Sequence, residues 1–109
     1  MQRIARIIQL KPEAIDEYKK IHAEVWPGVL ATIAACNIKN YSIFLREPEN
    51  LLFAYFEYHG EDLEADMAKM AEDEETQRWW TITDPMQARL ETAAEGEWWV
   101  PAEMVFHQD

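Results

Sequence analysis

The segment YKKIHAEVWP, residues 18 to 27, places a phenol, an imidazole and an indole at intervals of four residues: Tyr18, His22 and Trp26. Side chains four residues apart lie on the same face of an α-helix, so the spacing predicts a stripe of three aromatic rings. Histidine exchanges a proton near neutral pH without a strong shift of its pKa. The stripe therefore predicts a site where a proton is transferred beside aromatic surface.

Three further aromatic residues are candidates for the same site, namely Tyr41 and the adjacent pair Trp79 and Trp80 in QRWW. Sugar-binding pockets favour such residues, because a ring covers the apolar C–H face of a pyranose while phenol and indole groups bind hydroxyls. Each of them alone is more often a core or interface residue, and so is a single histidine on a helix. Without further information, the residues predict a small α+β domain with an aromatic pocket.

Other catalytic patterns are missing from the sequence. Its three glycines form no phosphate-binding loop, and His22, His59 and His107 lack the spacing of a metal-binding motif. The single cysteine, Cys36, has no catalytic motif around it and cannot form an internal disulfide. We therefore expect neither a metal nor a cofactor.

The formal net charge of −11, from 21 acidic and 10 basic residues, argues against a polyanionic partner. It repels nucleic acid and anionic membranes, whereas a neutral small molecule is easily accommodated. The first ten residues lack a signal-peptide pattern, and no segment is apolar enough to span a bilayer. Together with the lone cysteine, these features predict a cytoplasmic protein.

The elements that position the candidate residues follow from hydrophobic spacing. Residues 3–10, 40–47 and 51–58 are rich in β-favouring residues, and the last two flank a turn, so they predict a strand and a hairpin. Apolar positions at helical spacing run from Ile15 to Ile33 and predict a helix. Pro27 ends or kinks that helix near Trp26, or begins a second one.

The second half of the chain predicts two more helices and a closing strand. Residues 61–72 form a helix with Leu63, Met67 and Met70 inward, residues 73–82 form a short further helix, and TDP at 83–85 stops it. Residues 86–101, which contain Trp98 and Trp99, are expected to be irregular. Residues 102–107 predict the last strand.

This order of elements is that of a ferredoxin-like α+β fold, a split βαβ arrangement with an antiparallel sheet and helices on one face. The length predicts a single domain over residues 1–109. The other face of the sheet would carry Phe44, Phe53 and Tyr55, an apolar surface for a second subunit. We therefore expect a homodimer.

Five segments resemble the L-rhamnose mutarotase family and occur in the family's order: EYKKIHAEVWP, IKNYSIFL, NLLFAYFEY, TQRWW and EGEWWVPAEMVFH. They extend over essentially the whole chain, and the combination of Y-x-x-x-H-x-x-x-W-P with Q-R-W-W is specific, although each motif alone is weak. The resemblance implies a small cytoplasmic dimer with a ferredoxin-like fold, a dimeric α+β barrel.

The resemblance also implies roles for individual residues. The family's acid–base histidine matches His22, and its sugar-contacting tyrosines match Tyr18 and Tyr41. Its tryptophan pair matches Trp79 and Trp80. The implied reaction opens and closes the ring of L-rhamnose, or of a related 6-deoxy sugar, to interconvert its anomers without a metal or cofactor. His22 would protonate the ring oxygen, and the second proton partner would be Tyr18 or a bound water.

Two alternatives remain open from the sequence. Dimeric ferredoxin-like barrels also include cofactor-independent monooxygenases that act on aromatic substrates, and an aromatic pocket suits such an enzyme. The pocket also suits a sugar-binding module without turnover. Accelerated exchange between the anomers of L-rhamnose distinguishes the mutarotase from both.

Overall fold

The computed structural model describes all 109 residues and contains one antiparallel sheet. Strand β1, Gln2–Leu10, lies beside β3, Leu51–Tyr58, which pairs on its other edge with β2, Ile38–Arg46. Two short strands, β4 (Gln87–Ala88) and β5 (Val100–Ala102), share the remaining edge of β1. The resulting order, β2-β3-β1 and then the late strands, confirms the predicted ferredoxin-like sheet.

Four helices connect and cover these strands: α1 (Ile15–His22), α2 (Pro27–Ala35), α3 (Leu63–Glu72) and α4 (Glu74–Thr83). Short 3₁₀ segments, Pro12–Ala14 and Asp84–Met86, precede α1 and follow α4. Asp62 and Asp73 cap α3 and α4, since each side chain accepts a hydrogen bond from a backbone N–H of the first turn.

The predicted continuous helical stripe is wrong beyond His22. Helix α1 ends at that residue, and Pro27 is the first residue of α2, the alternative that the proline allowed. Trp26 lies between the helices with φ −58° and ψ 134°, so it is not on the face shared by Tyr18 and His22.

The core lies on the helical face of the sheet, at both of its ends. One end packs Cys36, Ile38, Phe56, Tyr58 and Met70 together, with Leu63 and Met67 against them as predicted. The other end packs Ile8, Leu10, Tyr18 and Leu52. On the opposite face Phe44 is 59% exposed and Phe53 39%, which confirms that this side of the sheet is open in the single chain.

The last part of the chain differs from the prediction. The closing strand is Val100–Ala102 rather than residues 102–107, and regular structure ends after it. Residues 86–101 are mostly irregular, but they include β4, which the sequence did not indicate. A strand of two residues is defined by its partner on β1 and leaves no alternating pattern of its own.

Candidate functional site

Helix α1 brings the first two candidate residues into direct contact. Tyr18 and His22 are one helical turn apart, and their rings stack with centroids 4.0 Å apart and planes inclined by 26°. The helix begins with Asp16 and Glu17 in its first turn and places Tyr18 among the buried residues. The local sequence therefore fixes both the phenol and the imidazole on the side of the helix that faces the sheet.

The imidazole of His22 has one nitrogen engaged and one free. Its Nδ1 lies 2.8 Å from the carbonyl oxygen of Tyr18. Because a carbonyl only accepts hydrogen bonds, Nδ1 carries the hydrogen, and Nε2 keeps its lone pair while the ring is neutral. Partial burial lowers the pKa of His22 below its ordinary value, and the bond to the carbonyl offsets part of that effect. The resting imidazole is thus a neutral base.

Two tryptophans support the imidazole from the side. Trp79, which is 6% exposed, meets His22 edge to face with centroids 5.3 Å apart. Trp26 also meets Trp79 edge to face, with centroids 5.1 Å apart. Trp26 thus reaches the candidate site through Trp79, although it is absent from the helical stripe. Such edge contacts fix ring orientation more closely than aliphatic packing does.

Trp80 has a different environment from its neighbour. Successive residues of an α-helix point about 100° apart, so the two indoles of α4 cannot face the same surface. Trp80 is 36% exposed and takes part in none of the aromatic contacts around His22. The structure therefore brings Trp79 together with His22 and leaves Trp80 at the surface of the helix.

A cleft opens between α1 and the hairpin and contains the candidate residues of α1. The cleft is open to solvent and has a volume of about 130 Å³, which is smaller than the usual small-molecule site. The residues that line it are Tyr18, Lys19, His22, Ile43, Leu45 and Leu52. Apolar strand residues form one wall and polar groups of α1 the other, as suits a molecule with an apolar face and hydroxyls.

Tyr41 approaches this region from strand β2. Asn40 adopts a left-handed conformation, with φ 51°, where the register of β2 against β3 shifts between Lys39 and Ser42. Tyr41 lies within this irregularity, and its ring is 5.4 Å from that of Phe56 on the helical face. The residue is 41% exposed, but its hydroxyl is the desolvated part, and burial raises the pKa of that phenol.

The hydroxyls of Tyr41 and Tyr18 are close enough for the charge of one to affect the other. Burial raises the pKa of Tyr18 to about 12, and the neighbouring Tyr41 adds to that effect. Both phenols therefore keep their protons at neutral pH and serve as hydrogen-bond donors or acceptors rather than bases. The structure brings Tyr18, His22 and Trp79 into one set of aromatic contacts, and Tyr41 lies outside those contacts and does not line the cleft.

Sequence reasoning missed two polar partners of this region, Gln87 and Trp98. The Gln87 side-chain nitrogen, Nε2, lies 3.4 Å from the Tyr18 hydroxyl, and its oxygen, Oε1, lies 3.1 Å from the indole Nε1 of Trp98. Gln87 is only 4% exposed, which is unusual for a glutamine. Residues 86–101 have no periodic pattern of apolar residues. The adjacent pair Trp98 and Trp99 was therefore the only feature of this segment that could indicate a contact with the site.

The chain contains no group of three or more His, Cys, Asp or Glu side chains arranged to hold a metal ion. His59 pairs with Glu57, and His107 pairs with Asp109, both near the surface. No helix has the length and apolar character that crossing a membrane requires.

Comparison with known proteins places this geometry in a family. The family model described as L-rhamnose mutarotase matches residues 3–108. An L-rhamnose mutarotase of Listeria monocytogenes serovar 1/2a is 44% identical over 86 residues, 79% of this chain and 80% of that protein. One of Oceanobacillus iheyensis is 38% identical over the same shares. A crystal structure of an L-rhamnose mutarotase from Formosa agariphila matches the fold over both whole chains with a TM-score of 0.78 at 23% identity.

Proposed function

The chain belongs to the L-rhamnose mutarotase family, and we propose that it interconverts the α and β anomers of L-rhamnopyranose with His22 as the proton carrier. It is accordingly an isomerase. The observation that carries the residue assignment is a neutral imidazole with a free Nε2, on a residue that lines a solvent-open cleft beside apolar strand residues. The monooxygenase and the binding module lose their support, since the relatives share neither description.

The proton balance of the reaction fits a single imidazole. In the first step Nε2 takes the proton from O1, a C1=O bond forms, and the bond from C1 to the ring oxygen breaks. The imidazolium then returns the same proton to the former ring oxygen. After rotation about C1–C2, the reverse steps close the ring on the other face of the aldehyde. One base thus accounts for the loss and the gain of a proton, and no second titrating residue is required.

The neighbours of His22 suit this sequence of steps. The Tyr18 carbonyl holds Nδ1–H, so it keeps Nε2 in the correct tautomer and stabilises the imidazolium when it forms. Ile43, Leu45 and Leu52 offer apolar surface for the C–H face and the C6 methyl group. A methyl-sized contact discriminates by only about 1–3 kcal/mol, so related sugars are expected to react as well.

The remaining contacts that we propose to the sugar come from Tyr18, Tyr41 and the tryptophan pair. The two phenols are protonated, and Tyr41 lies close enough to raise the pKa of Tyr18, which supports hydrogen bonds from both to sugar hydroxyls. Trp79 acts mainly by fixing the imidazole, since it is buried against it. Trp80 has enough exposed ring to cover part of a ligand.

We also propose that the enzyme is a cytoplasmic homodimer. The open face of the sheet exposes Phe44 and Phe53, and the last residues add Met104 and Phe106, 58% and 77% exposed. A second copy that covers these side chains would remove an apolar surface that is unusual on a monomer. The one cysteine, Cys36, is buried and free, as suits a reducing compartment.

Saturation-transfer NMR on L-rhamnose tests the proposed function. Catalytic amounts of the enzyme should accelerate exchange between the two anomeric signals, and His22→Ala should lose about 10²–10⁴-fold of that acceleration. His59→Ala is the matched control, because His59 pairs with Glu57 at the surface and should leave the rate unchanged. A wild-type enzyme that leaves the exchange rate at its spontaneous value contradicts the function. An active His22→Ala variant contradicts only the assignment of the base.

A further inference from the structure

The orientation of the buried Gln87 amide is set by its partner on the irregular segment. An indole N–H can only donate, so the Gln87 atom that faces Trp98 at 3.1 Å must be the amide oxygen. The NH₂ group therefore points the other way, towards the Tyr18 hydroxyl. Because Gln87 is 4% exposed, water does not compete freely for either end of the amide. Trp98 thus determines which polar group Tyr18 meets.

The direction of this bond has a consequence for Tyr18. A phenol has one hydrogen to donate and accepts through its oxygen. The Gln87 NH₂ group occupies the accepting side, and the hydroxyl donates to no protein group. Its own hydrogen is left for an acceptor outside the chain, and the ring of Tyr18 lines the cleft beside His22. The hydrogen bond from the amide to the phenol oxygen also makes the phenol O–H a better donor, because consecutive hydrogen bonds polarise one another.

We propose that Gln87 is a positioning residue for sugar binding: oriented by Trp98, it makes the Tyr18 hydroxyl an obligate donor to an oxygen of the sugar. This assignment rests on the proposed function and deepens it, since it acts through a residue of the same site. The arrangement favours a hydroxyl or ring oxygen with a free lone pair at that position. It also gives residues 86–101 a part in the site, through two side chains that are 11 positions apart.

The phenol remains a donor throughout the neutral pH range. Burial raises the pKa of Tyr18 to about 12, so the hydroxyl keeps its hydrogen at neutral pH. The side chain of Asp84 also lies near the indole of Trp98, which lowers the pKa of that carboxyl, although burial, the larger effect, leaves it above its ordinary value. The indole has a single N–H, and its hydrogen bond goes to Gln87.

Reversing the polarity of the amide is the sharpest test. In Gln87→Glu, measured at a pH at which the new side chain is ionised, the carboxylate accepts from Trp98 and also from Tyr18, so the phenol hydrogen turns away from the cleft. The affinity for L-rhamnose, measured by calorimetry, should fall about tenfold, the loss of one hydrogen bond. Gln87→Met, which removes both bonds at similar size, should weaken binding by a smaller factor. Gln2→Glu is the control, since Gln2 is exposed and lies at the opposite end of β1 from Leu10, the partner of Gln87.

A double-mutant cycle then separates positioning from simple packing. Tyr18→Phe should weaken binding about tenfold, and adding Gln87→Glu to it should change the affinity less than twofold, because Gln87 acts through the missing hydroxyl. Independent losses that multiply to about a hundredfold would overturn the assignment. So would a Gln87→Glu variant that binds the sugar as well as the wild type does.

A spectroscopic readout keeps the test independent of activity. The indole N–H signal of Trp98, assigned as the one that disappears in Trp98→Phe, should shift in Gln87→Met and persist at a bonded position in Gln87→Glu. An indole signal indifferent to both changes would overturn the proposed orientation. If the wild type neither binds nor interconverts L-rhamnose, the proposed function fails and the assignment with it. If the wild type is active and the cycle is additive, only the assignment of Gln87 fails.

Discussion

The two ends of the sheet each bury a tyrosine, and they use its hydroxyl in opposite ways. At the α3 end, the Tyr58 hydroxyl donates to Asp66 and accepts from the backbone N–H of Asp62, which lies 3.0 Å away. At the α1 end, the Tyr18 hydroxyl accepts from Gln87 and donates to no protein group. The first phenol is satisfied within the fold. The second keeps a hydrogen for something that the fold does not contain.

The surroundings of the two hydroxyls differ in the same sense. The Tyr58 hydroxyl lies against Gly60, and the Cβ of any other residue at position 60 would collide with that hydroxyl. Tyr58 has no exposed surface. Tyr18 instead borders the cleft together with His22. Two tyrosines of similar burial thus have different hydrogen-bond partners, and we expect a structural role for Tyr58 and, as proposed, a binding role for Tyr18.

The largest difference in stability should be between variants of Trp79 and Trp80, the adjacent tryptophans of α4 near the α1 end of the sheet. Trp79→Ala removes a buried indole that contacts His22 and Trp26, so it should cost about 3–5 kcal/mol of unfolding free energy. Trp80→Ala removes a ring that is 36% exposed and should change stability far less while weakening sugar binding. Urea denaturation and calorimetric titration measure the two quantities. Equal losses of stability would show that Trp80 is also a core residue.

At the α3 end of the sheet, Tyr58→Phe should lower the thermal stability and leave the reaction intact. The change leaves the Asp62 N–H without its acceptor and Asp66 without one of its donors. It should lower the Tm by roughly 5–15 °C. Tyr18→Phe loses one longer bond and should lower the Tm by a smaller amount while it weakens sugar binding. Differential scanning fluorimetry compares them.

Tyr55→Phe controls for the loss of a hydroxyl at a half-buried position, where the group donates to Glu57 at 2.9 Å. Its Tm should stay close to that of the wild type. A Tyr18→Phe variant as unstable as Tyr58→Phe would remove the distinction between a structural and a functional tyrosine.

The sequence was sufficient for the parts of the fold that have a periodic pattern. Strand β1, the hairpin and helices α3 and α4 lie where their apolar spacing predicted, and so do Met67 and Met70. The short strands β4 and β5 depend on the edge of β1 for their definition, and no local pattern encodes a partner so far away.

The site was predictable to a similar depth. The spacing of Tyr18 and His22 predicted that both lie on one helical face, and the structure shows their rings stacked there, whereas Trp26, the third residue of the predicted stripe, lies outside the helix. The separate orientations of Trp79 and Trp80 follow from helix geometry once α4 is defined. The proposed role of Gln87 could not be predicted, because it depends on contacts with Trp98 in an irregular segment and with Tyr18, 69 positions away.

The smallest of the three expected effects is a dependence on pH. It distinguishes the α1 end of the sheet from the α3 end, because the ionisable groups at the two ends titrate at different pH values. The proposed reaction begins with neutral His22, whose pKa lies below about 6.5 because of burial. The catalysed rate should therefore be constant above that pH and fall about tenfold for each pH unit below the pKa of the folded state. At the α3 end, the hydrogen bonds from Tyr58 and Asn37 hold the pKa of Asp66 below its ordinary value. The stability that these two bonds contribute is therefore lost only in stronger acid.

Activity should thus disappear on acidification before the fold does. Since His22 binds a proton more readily in the unfolded chain, stability declines somewhat as the pH falls from about 6.5 through the lowered pKa, but most of it remains. Exchange NMR and thermal denaturation at matched pH values measure the two curves, and the residual rate of His22→Ala should show no step in this range. A wild-type rate that rises on acidification would mean that the imidazolium starts the reaction, with the ring oxygen protonated first and O1 deprotonated afterwards.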